Sequence, residues 1–154
     1  MIQRIQSVYL LLTTILSVLF LSGNIITFNN SDGLSSRVII SGIYMTSAGV
    51  ESKIGHSLLL VVPVMLSGFI SLIAIFMFKR RMFQLWFVRM ALSFIIIGHL
   101  GGAYYILDIS RKYDVNLEMG FRILLPLLIF ALIMFALRGI IHDEKLVRSY
   151  DRLR

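Results

Sequence analysis

The sequence contains no cysteine. Disulfides, thiolate metal sites and cysteine nucleophiles are therefore excluded. Charge is also scarce, because only 15% of the 154 residues are charged, well below the roughly 25% of an ordinary soluble domain. Hydrophobic residues make up 58% of the chain and are gathered into long blocks. A soluble fold of this length has no interior large enough for them, so the composition indicates a polytopic membrane protein.

Residue patterns that carry chemistry are missing too. The chain has no glycine-rich phosphate loop, no serine–histidine–acid set, no paired carboxylates and no cluster with metal-ligand spacing. Membrane enzymes usually hold several polar residues at a common depth, and this sequence does not. We therefore expect a protein that is not an enzyme and that binds no cofactor and no metal.

Four segments are apolar enough to cross a bilayer, which takes about 20 consecutive residues in a helix. They are residues 8–28, 57–78, 83–107 and 121–141. They predict an all-α integral membrane fold, a four-helix transmembrane bundle that forms one membrane domain over residues 1–154. The alternative for the first segment is the apolar region of a cleaved signal peptide, but Phe20 and Leu21 crowd the place where cleavage needs small residues.

The basic residues predict the orientation of these spans, because lysine and arginine concentrate on the cytoplasmic side. With both termini on one side, that side holds Arg4, Lys79, Arg80, Arg81, Arg89, Arg138, Lys145, Arg148, Arg152 and Arg154. The other side holds Arg37, Lys53, Arg111, Lys112 and Arg122, which its acidic residues balance. The whole net charge of +7 then lies on one face. Both termini are therefore predicted to be cytoplasmic.

The same basic surface could suggest nucleic acid as a partner. A basic cytoplasmic rim, however, is usual for a membrane protein and suits anionic lipid headgroups. No aromatic-interleaved groove or base-reading motif accompanies it. We expect the lipid bilayer as one partner, another membrane protein or a second copy of the chain as the other, and no nucleic acid.

The two ends of the chain carry a family resemblance. The opening "MIQRIQSVYLLL" and the closing "HDEKLVRSYDRLR" resemble a family of short, four-span membrane proteins from Bacteroidota that is catalogued as a domain of unknown function, number 4293. The resemblance covers the whole chain, and "DEKLVRSYDRLR" is its most specific part. It implies a bacterial inner-membrane protein and transfers no catalytic residues.

The long outer loop, residues 29–56, contains signals for extended structure. "NNSDG" is a dense turn signal. The stretch "RVIISGIYM" that follows is rich in β-branched and aromatic residues, as strands are. Pairing with the earlier "NIITF" would give a small β-hairpin on the outer face. It would act either as a lid over the helix ends, the interpretation we favour, or as a docking site for a partner.

His99 lies inside the third span, where an ionisable residue suggests a functional site by default. A proton relay usually needs a carboxylate nearby, and the four spans contain no aspartate or glutamate. An uncharged imidazole still has one donor and one acceptor to satisfy. Ser67, Ser71 or a backbone carbonyl are the candidate partners.

Small residues around His99 favour close helix packing. Gly98 and Gly102 form a GxxxG pair, a spacing that lets two helix backbones approach closely in lipid. Ser67 and Ser71 give the second span a matching small face. We therefore predict that these residues form a tight helix crossing in which His99 is a hydrogen-bonded strut. A metal site from the three histidines fails, because they lie at three different depths.

The cytoplasmic tail, residues 142–154, is predicted to continue the fourth span as a helix. Glu144 and Arg148 have the i, i+4 spacing of a favourable ion pair. A stripe that includes Tyr150 can lie on lipid headgroups or pack on a partner. The residues predicted to anchor or dock the cytoplasmic side are Lys79, Arg80, Arg81, Glu144, Arg148, Tyr150, Arg152 and Arg154.

These features predict a non-catalytic accessory or scaffold subunit of a larger membrane complex, engaged through its tail or its outer hairpin. The alternative from another class is a small transporter or proton-coupled carrier built around His99, Tyr104 and Tyr105. The chain has no internal repeat or broken-helix signature of the kind that many transporters show. An enzyme acting on lipid is the third alternative.

Overall fold

The computed structural model of the chain describes residues 5–29, 35–47, 50–78, 80–113, 116–118 and 121–152. Within these ranges the helices are α1 (Ile5–Leu21), α2 (Leu58–Phe76), α3 (Arg81–Tyr113) and α4 (Leu125–Arg152), with a 3-10 turn at Phe121–Leu124 before α4. The strands are β1 (Ile26–Asn29), β2 (Ser35–Ile39), β3 (Gly42–Ser47), β4 (Val50–Gly55) and β5 (Asn116–Glu118).

Three of the helical segments have the length and apolarity needed to cross a membrane: Leu58–Phe76, Arg81–Lys112 and Phe121–Lys145. They correspond to the second, third and fourth predicted spans. Helix α3 continues past the predicted end at residue 107, and α4 continues to Arg152 as predicted for the tail. The chain therefore has the helices of a membrane protein.

The prediction for the first span was wrong in its last third, residues 22–28. Helix α1 ends at Leu21 after 17 residues, about 26 Å, and residues 26–29 form strand β1 instead. Ser22 closes the helix by donating from its backbone N–H to the carbonyl of Val18 at 3.0 Å, and Gly23 and Asn24 then form a bend and a loop. Counting apolar residues across this polar break merged a helix and a strand into one segment.

The four helices pack as a ring in which α1 contacts α2 and α4, and α3 also contacts α2 and α4. Fully buried side chains such as Leu10, Val64, Ile95 and Ile133 fill the centre. The outward faces carry large exposed apolar side chains, among them Val18, Phe69, Phe76, Trp86, Leu100 and Leu127. Exposed apolar area on this scale is typical of a surface that contacts lipid.

The strands form one antiparallel sheet with the order β4-β3-β2-β1-β5. The predicted pairing of "NIITF" with "RVIISGIYM" is present, with Ile26 opposite Val38 and Phe28 opposite Ser36. The predicted hairpin was nevertheless too simple. "RVIISGIYM" turns back on itself at Ile40 and Ser41, where Gly42 adopts a φ of 148° that favours glycine. The polar segment Val50–Gly55 adds a further strand, and β5 comes from the second loop.

One face of this sheet covers the ends of the helices. Phe28 and Val38 are fully buried in the same core as Phe20 of α1. Ser57, just before α2, donates to the carbonyl of Ile39 at 2.7 Å. Tyr105 of α3 donates to the carbonyl of His56 at 2.8 Å. The sheet is thus tied to two helices by hydrogen bonds and lies as a cap on one end of the ring.

Candidate functional site

Helices α2 and α3 come into close contact at a row of glycines. A Cβ on Gly101 would lie 2.6 Å from the carbonyl oxygen of Leu59 and 3.0 Å from its carbonyl carbon. A Cβ on Gly98 would lie 2.9 Å from a methyl group of Val64, and one on Gly102 would lie 3.3 Å from a methyl group of Leu60. The GxxxG pair therefore faces α2, but the residue that meets backbone is Gly101, between the two.

Pro63 explains why a carbonyl is available at this point. It lies inside α2 and has no N–H, so the carbonyl four residues earlier, that of Leu59, lacks its normal helical partner. That carbonyl lies against the backbone of Gly101. The absence of a side chain on Gly101 is what lets α3 approach this carbonyl, in the geometry where weak Cα–H···O contacts occur between packed helices.

The two serines predicted to face the third span are both fully buried, with different surroundings. Ser67 donates its hydroxyl across to the carbonyl of Ala91 on α3 at 3.0 Å. The Ser71 hydroxyl has no hydrogen-bond partner among the described residues. Ser67 thus supplies a polar link between α2 and α3. Ser71, one turn away on α2, has a buried hydroxyl that forms no hydrogen bond with a described residue.

His99 does not reach either serine. Its Nδ1 lies 2.7 Å from the carbonyl oxygen of Ile95 in its own helix. A carbonyl can only accept, so Nδ1 carries the hydrogen and donates. The Nε2 atom is buried and finds no partner in the described part of the chain, and the ring edge meets Phe130 of α4 with centroids 6.2 Å apart. The strut function predicted for His99 would therefore act through packing between α3 and α4.

His99 also lines a cavity of about 250 Å³ between the helices. The walls are otherwise apolar and include Val64 of α2, Ile106 of α3 and Leu127 of α4. The other residues of the carrier alternative do not join it there. Tyr104 is 55% exposed on the outward face. The Tyr105 hydroxyl donates a hydrogen bond to the backbone carbonyl of His56. No metal-binding group of three or more acidic or histidine side chains occurs among the described residues.

Helix α1 makes polar contacts that the sequence interpretation missed. The Thr14 hydroxyl donates to the carbonyl of Leu10 in its own helix at 3.1 Å and shares that hydrogen with the carbonyl of Gly68 on α2 at 3.3 Å. A Cβ on Gly68 would lie 2.8 Å from the Cβ of Ser17, so this glycine lets the two helices touch. Thr13, Thr14 and Ser17 in an otherwise apolar helix were the available signal, because small hydroxyl residues are enriched where membrane helices pack.

A second set of contacts ties the helices at the end opposite the sheet. Gln6 of α1 donates its side-chain amide to the Asp143 carboxylate of α4 at 2.7 Å. Arg81 of α3 donates to the backbone carbonyl of the same aspartate at 3.1 Å. Three helices therefore meet at Asp143, and Arg81, predicted to anchor or dock, is engaged within the chain.

The remaining residues of the predicted cytoplasmic surface are only partly described. Arg80 is exposed, with its guanidinium 5.8 Å from the centre of the Phe83 ring. Glu144 is half-buried on α4. Arg148, Tyr150 and Arg152 belong to α4, and only their backbone is described, while Lys79 and Arg154 lie outside the described residues. The predicted anchoring or docking function of this surface stays a prediction.

Comparison with known proteins gives one family. No curated protein matches the chain at a significant level. The model of one protein family, described as a domain of unknown function (DUF4293), matches residues 2–153. That match spans nearly every residue, including both ends on which the resemblance was based. The chain therefore belongs to the DUF4293 family, whose function is unknown.

Proposed function

We propose that this protein is a non-catalytic accessory or scaffold subunit of a larger membrane complex, and that its sheet is the docking element. The observation that carries the proposal is the free edge of the sheet. Among the described strands, β4 pairs with β3 on one side and with no strand on the other. A sheet edge with unpaired N–H and C=O groups can accept a strand from another chain.

The side chains of β4 suit such a contact. Residues Val50 to Ile54 are all exposed, and Val50 and Ile54 are 71% and 39% exposed. Side chains alternate along a strand, so Val50 shares one face with Ser52, while Ile54 lies where the register against β3 shifts between Ile43 and Tyr44. Glu51 lies on the other face, where its carboxylate pairs with Arg37 of β2. An incoming strand would gain main-chain hydrogen bonds from the edge and apolar contact from Val50 and Ile54.

The occupant we propose is a strand of another membrane protein or of a second copy of this chain. The sheet lies at the end of a ring of membrane-length helices, so the partner must present its strand close to the same membrane surface. The proposal also makes catalysis unnecessary, since β-strand addition uses only backbone groups and apolar side chains.

Lysine substitutions on β4 test this proposal, because lysine on an edge strand opposes pairing with another strand. The full-length protein is purified from its native membrane in mild detergent, and its partners are quantified by mass spectrometry. The proposal expects a stoichiometric partner, or a dimer, that is lost in the double variant Val50→Lys/Ile54→Lys. Ile40→Lys is the matched control, since Ile40 is also exposed, at 51%, but lies in the β2–β3 turn. A wild-type monomer, or equal recovery in the edge variant, contradicts the proposal.

We place the protein in the inner membrane of a bacterium of the Bacteroidota, with four crossings and both termini in the cytoplasm. The ten-to-five distribution of basic residues supports the orientation. Packing supports a crossing by α1 despite its length, because Leu11, Ile15 and Val18 face outward as lipid-facing residues do. The sheet then lies on the outer face.

Single cysteines provide a clean test of this topology, since the chain has no cysteine of its own. Ser52→Cys on β4 should react with a membrane-impermeant maleimide in intact cells, and Arg154→Cys should react only after the inner membrane is opened. Reaction of Arg154→Cys in intact cells would overturn the orientation.

The carrier alternative rests on His99, whose Nε2 has no hydrogen-bond partner among the described residues and which lines an interhelical cavity. Substitutions separate it from a packing function. A carrier would lose proton uptake into proteoliposomes in His99→Phe while the melting temperature stays unchanged. Packing against α4 would instead lower the melting temperature in His99→Phe and spare it in His99→Gln, with no proton uptake by any form of the protein. The accessory proposal expects the second result.

A further inference from the structure

Arg122 is a basic residue that neither the proposed docking edge nor the helix crossings use. It lies in the 3-10 turn Phe121–Leu124 that leads into α4, at the end of the ring that carries the sheet. Its guanidinium packs against Gly23, in the loop between α1 and β1. A Cβ on Gly23 would overlap Nη1 of Arg122, so only glycine leaves room for the guanidinium there.

The charge of Arg122 is not neutralised within the described residues. Its Nη1 is buried and has no hydrogen-bond partner among the described side chains and backbone, and no carboxylate whose side chain is described forms an ion pair with it. Two other basic residues at this end are paired, Arg37 with Glu51 and Lys112 with Asp108. A partly buried guanidinium without an anion is costly, because it has lost water and gained no compensating charge.

Arg122 is one of the residues that line a cavity of about 290 Å³. Asn24, Thr27 and Arg122 supply its polar wall, and Ile25, Phe121 and Ile123 supply apolar surface. For scale, a cavity of roughly 150 Å³ holds a benzene molecule, so this one has room for a phosphate group and several carbon atoms. A polar wall with a cation beside an apolar wall matches the boundary between a lipid headgroup and its chains.

We infer that this cavity binds the phosphate group of a membrane lipid. Arg122 donates charge-assisted hydrogen bonds to the phosphate oxygens, for which the planar guanidinium fork is well suited. Ile25, Phe121 and Ile123 contact the glycerol and the first carbons of the acyl chains. The position fits this ligand, since Arg122 directly precedes α4 and Gly23 directly follows α1, where the apolar helices give way to the sheet. The inference is independent of the docking proposal, which concerns the far edge of the sheet.

The test measures the melting temperature of full-length protein in detergent as lipid is titrated. The probes are dioleoyl phosphatidylglycerol, dioleoylglycerol with the same chains and no phosphate, and inorganic phosphate. We expect phosphatidylglycerol to raise the melting temperature of the wild type, and dioleoylglycerol and millimolar phosphate to have little effect. In Arg122→Gln the apparent affinity for phosphatidylglycerol should fall about tenfold, because the substitution removes about one charge-assisted hydrogen bond.

Two further variants keep the result interpretable. Arg111→Gln removes the same charge from an exposed position in the last turn of α3, at the same end of the helix ring as Arg122. It should leave the lipid effect intact. Arg122→Lys retains the charge but not the fork, and should bind with intermediate affinity even if Arg122→Gln folds poorly. Equal lipid effects in wild type and Arg122→Gln, or an equal effect of dioleoylglycerol, would overturn the inference. Stabilisation by inorganic phosphate alone would overturn the lipid as the source and point to a soluble anion.

Discussion

Helix α3 and helix α1 both pack on α2, but they do so by different means. The α2–α3 contact brings backbone against backbone, with the Leu59 carbonyl lying where a Gly101 side chain would be. The α1–α2 contact instead uses the hydroxyl of Thr14 and the small side chain of Ser17. A Cβ on Gly68 would lie 2.8 Å from the Cβ of Ser17, which cannot rotate away, and a Cβ on Gly101 would lie closer still, 2.6 Å from a backbone oxygen. We therefore expect both crossings to be strict and the α3 crossing to be the stricter of the two.

The largest effect is expected for Gly101→Ala, the smallest possible addition at the backbone contact. The new Cβ would lie 2.6 Å from the Leu59 oxygen, so α2 and α3 must separate. Overpacking of this kind costs about 1–3 kcal/mol of unfolding free energy. The measurement is unfolding in detergent micelles, followed by helical circular dichroism.

Gly102→Ala is the matched control for that variant, one residue along the same helix. Its Cβ would lie 3.3 Å from the flexible end of the Leu60 side chain, which can move. Alanine also favours a helix over glycine by up to about 1 kcal/mol. The Gly102→Ala variant should therefore have an unfolding free energy at least as high as that of the wild type. Equal destabilisation by both variants would show that the crossing is no stricter at its backbone contact.

A smaller effect is expected from Gln6→Leu, which tests how α1 is held at the opposite end. Leucine keeps most of the volume but removes the amide that donates to Asp143, leaving a partly buried carboxylate with one bond fewer. A hydrogen bond to a charged group of this kind contributes about 1–2 kcal/mol. The same unfolding assay measures it, with Val8→Ala as the control on the exposed, outward side of α1. Wild-type stability in Gln6→Leu would mean that the hydrogen bond to Asp143 does not contribute to holding α1.

Sequence alone predicted the parts of the fold that depend on long local patterns. The second, third and fourth predicted spans are helices of membrane length because an unbroken apolar run leaves the backbone few alternatives in lipid. Strand β4 escaped prediction because "VESKIG" is polar and becomes a strand only by pairing with β3. Pairing of that kind depends on residues outside the segment, so its own composition gives weak evidence for it.

The candidate sites show the same limit more sharply. Gly98 and Gly102 indicated a close helix crossing. The position of the backbone contact, however, depends on how far each helix is rotated about its axis. It depends also on Pro63 freeing the Leu59 carbonyl. Gly23 and Arg122 are nearly 100 positions apart in the sequence, and nothing local in either segment signals that they meet. A contact like that of Gly23 with Arg122, between segments far apart in the chain, cannot be predicted from a single sequence.

The smallest effect is expected from Ser67→Ala. Its comparison with Ser71→Ala separates the contribution of an interhelical hydrogen bond from that of a buried hydroxyl without one. Ser67 bonds to the Ala91 carbonyl on α3 at 3.0 Å, and interhelical hydrogen bonds in membrane proteins contribute about 0.6 kcal/mol on average. Ser71 is buried to the same extent on the same helix, but its hydroxyl has no partner among the described residues. Ser71→Ala removes a buried polar group without breaking a bond, so it should leave stability unchanged or raise it. If Ser71→Ala destabilises the protein as much as Ser67→Ala, the hydroxyl of Ser67 contributes by filling space and not by its hydrogen bond. The α2–α3 contact would then be held by the glycines alone, which would make the difference from α1 larger still.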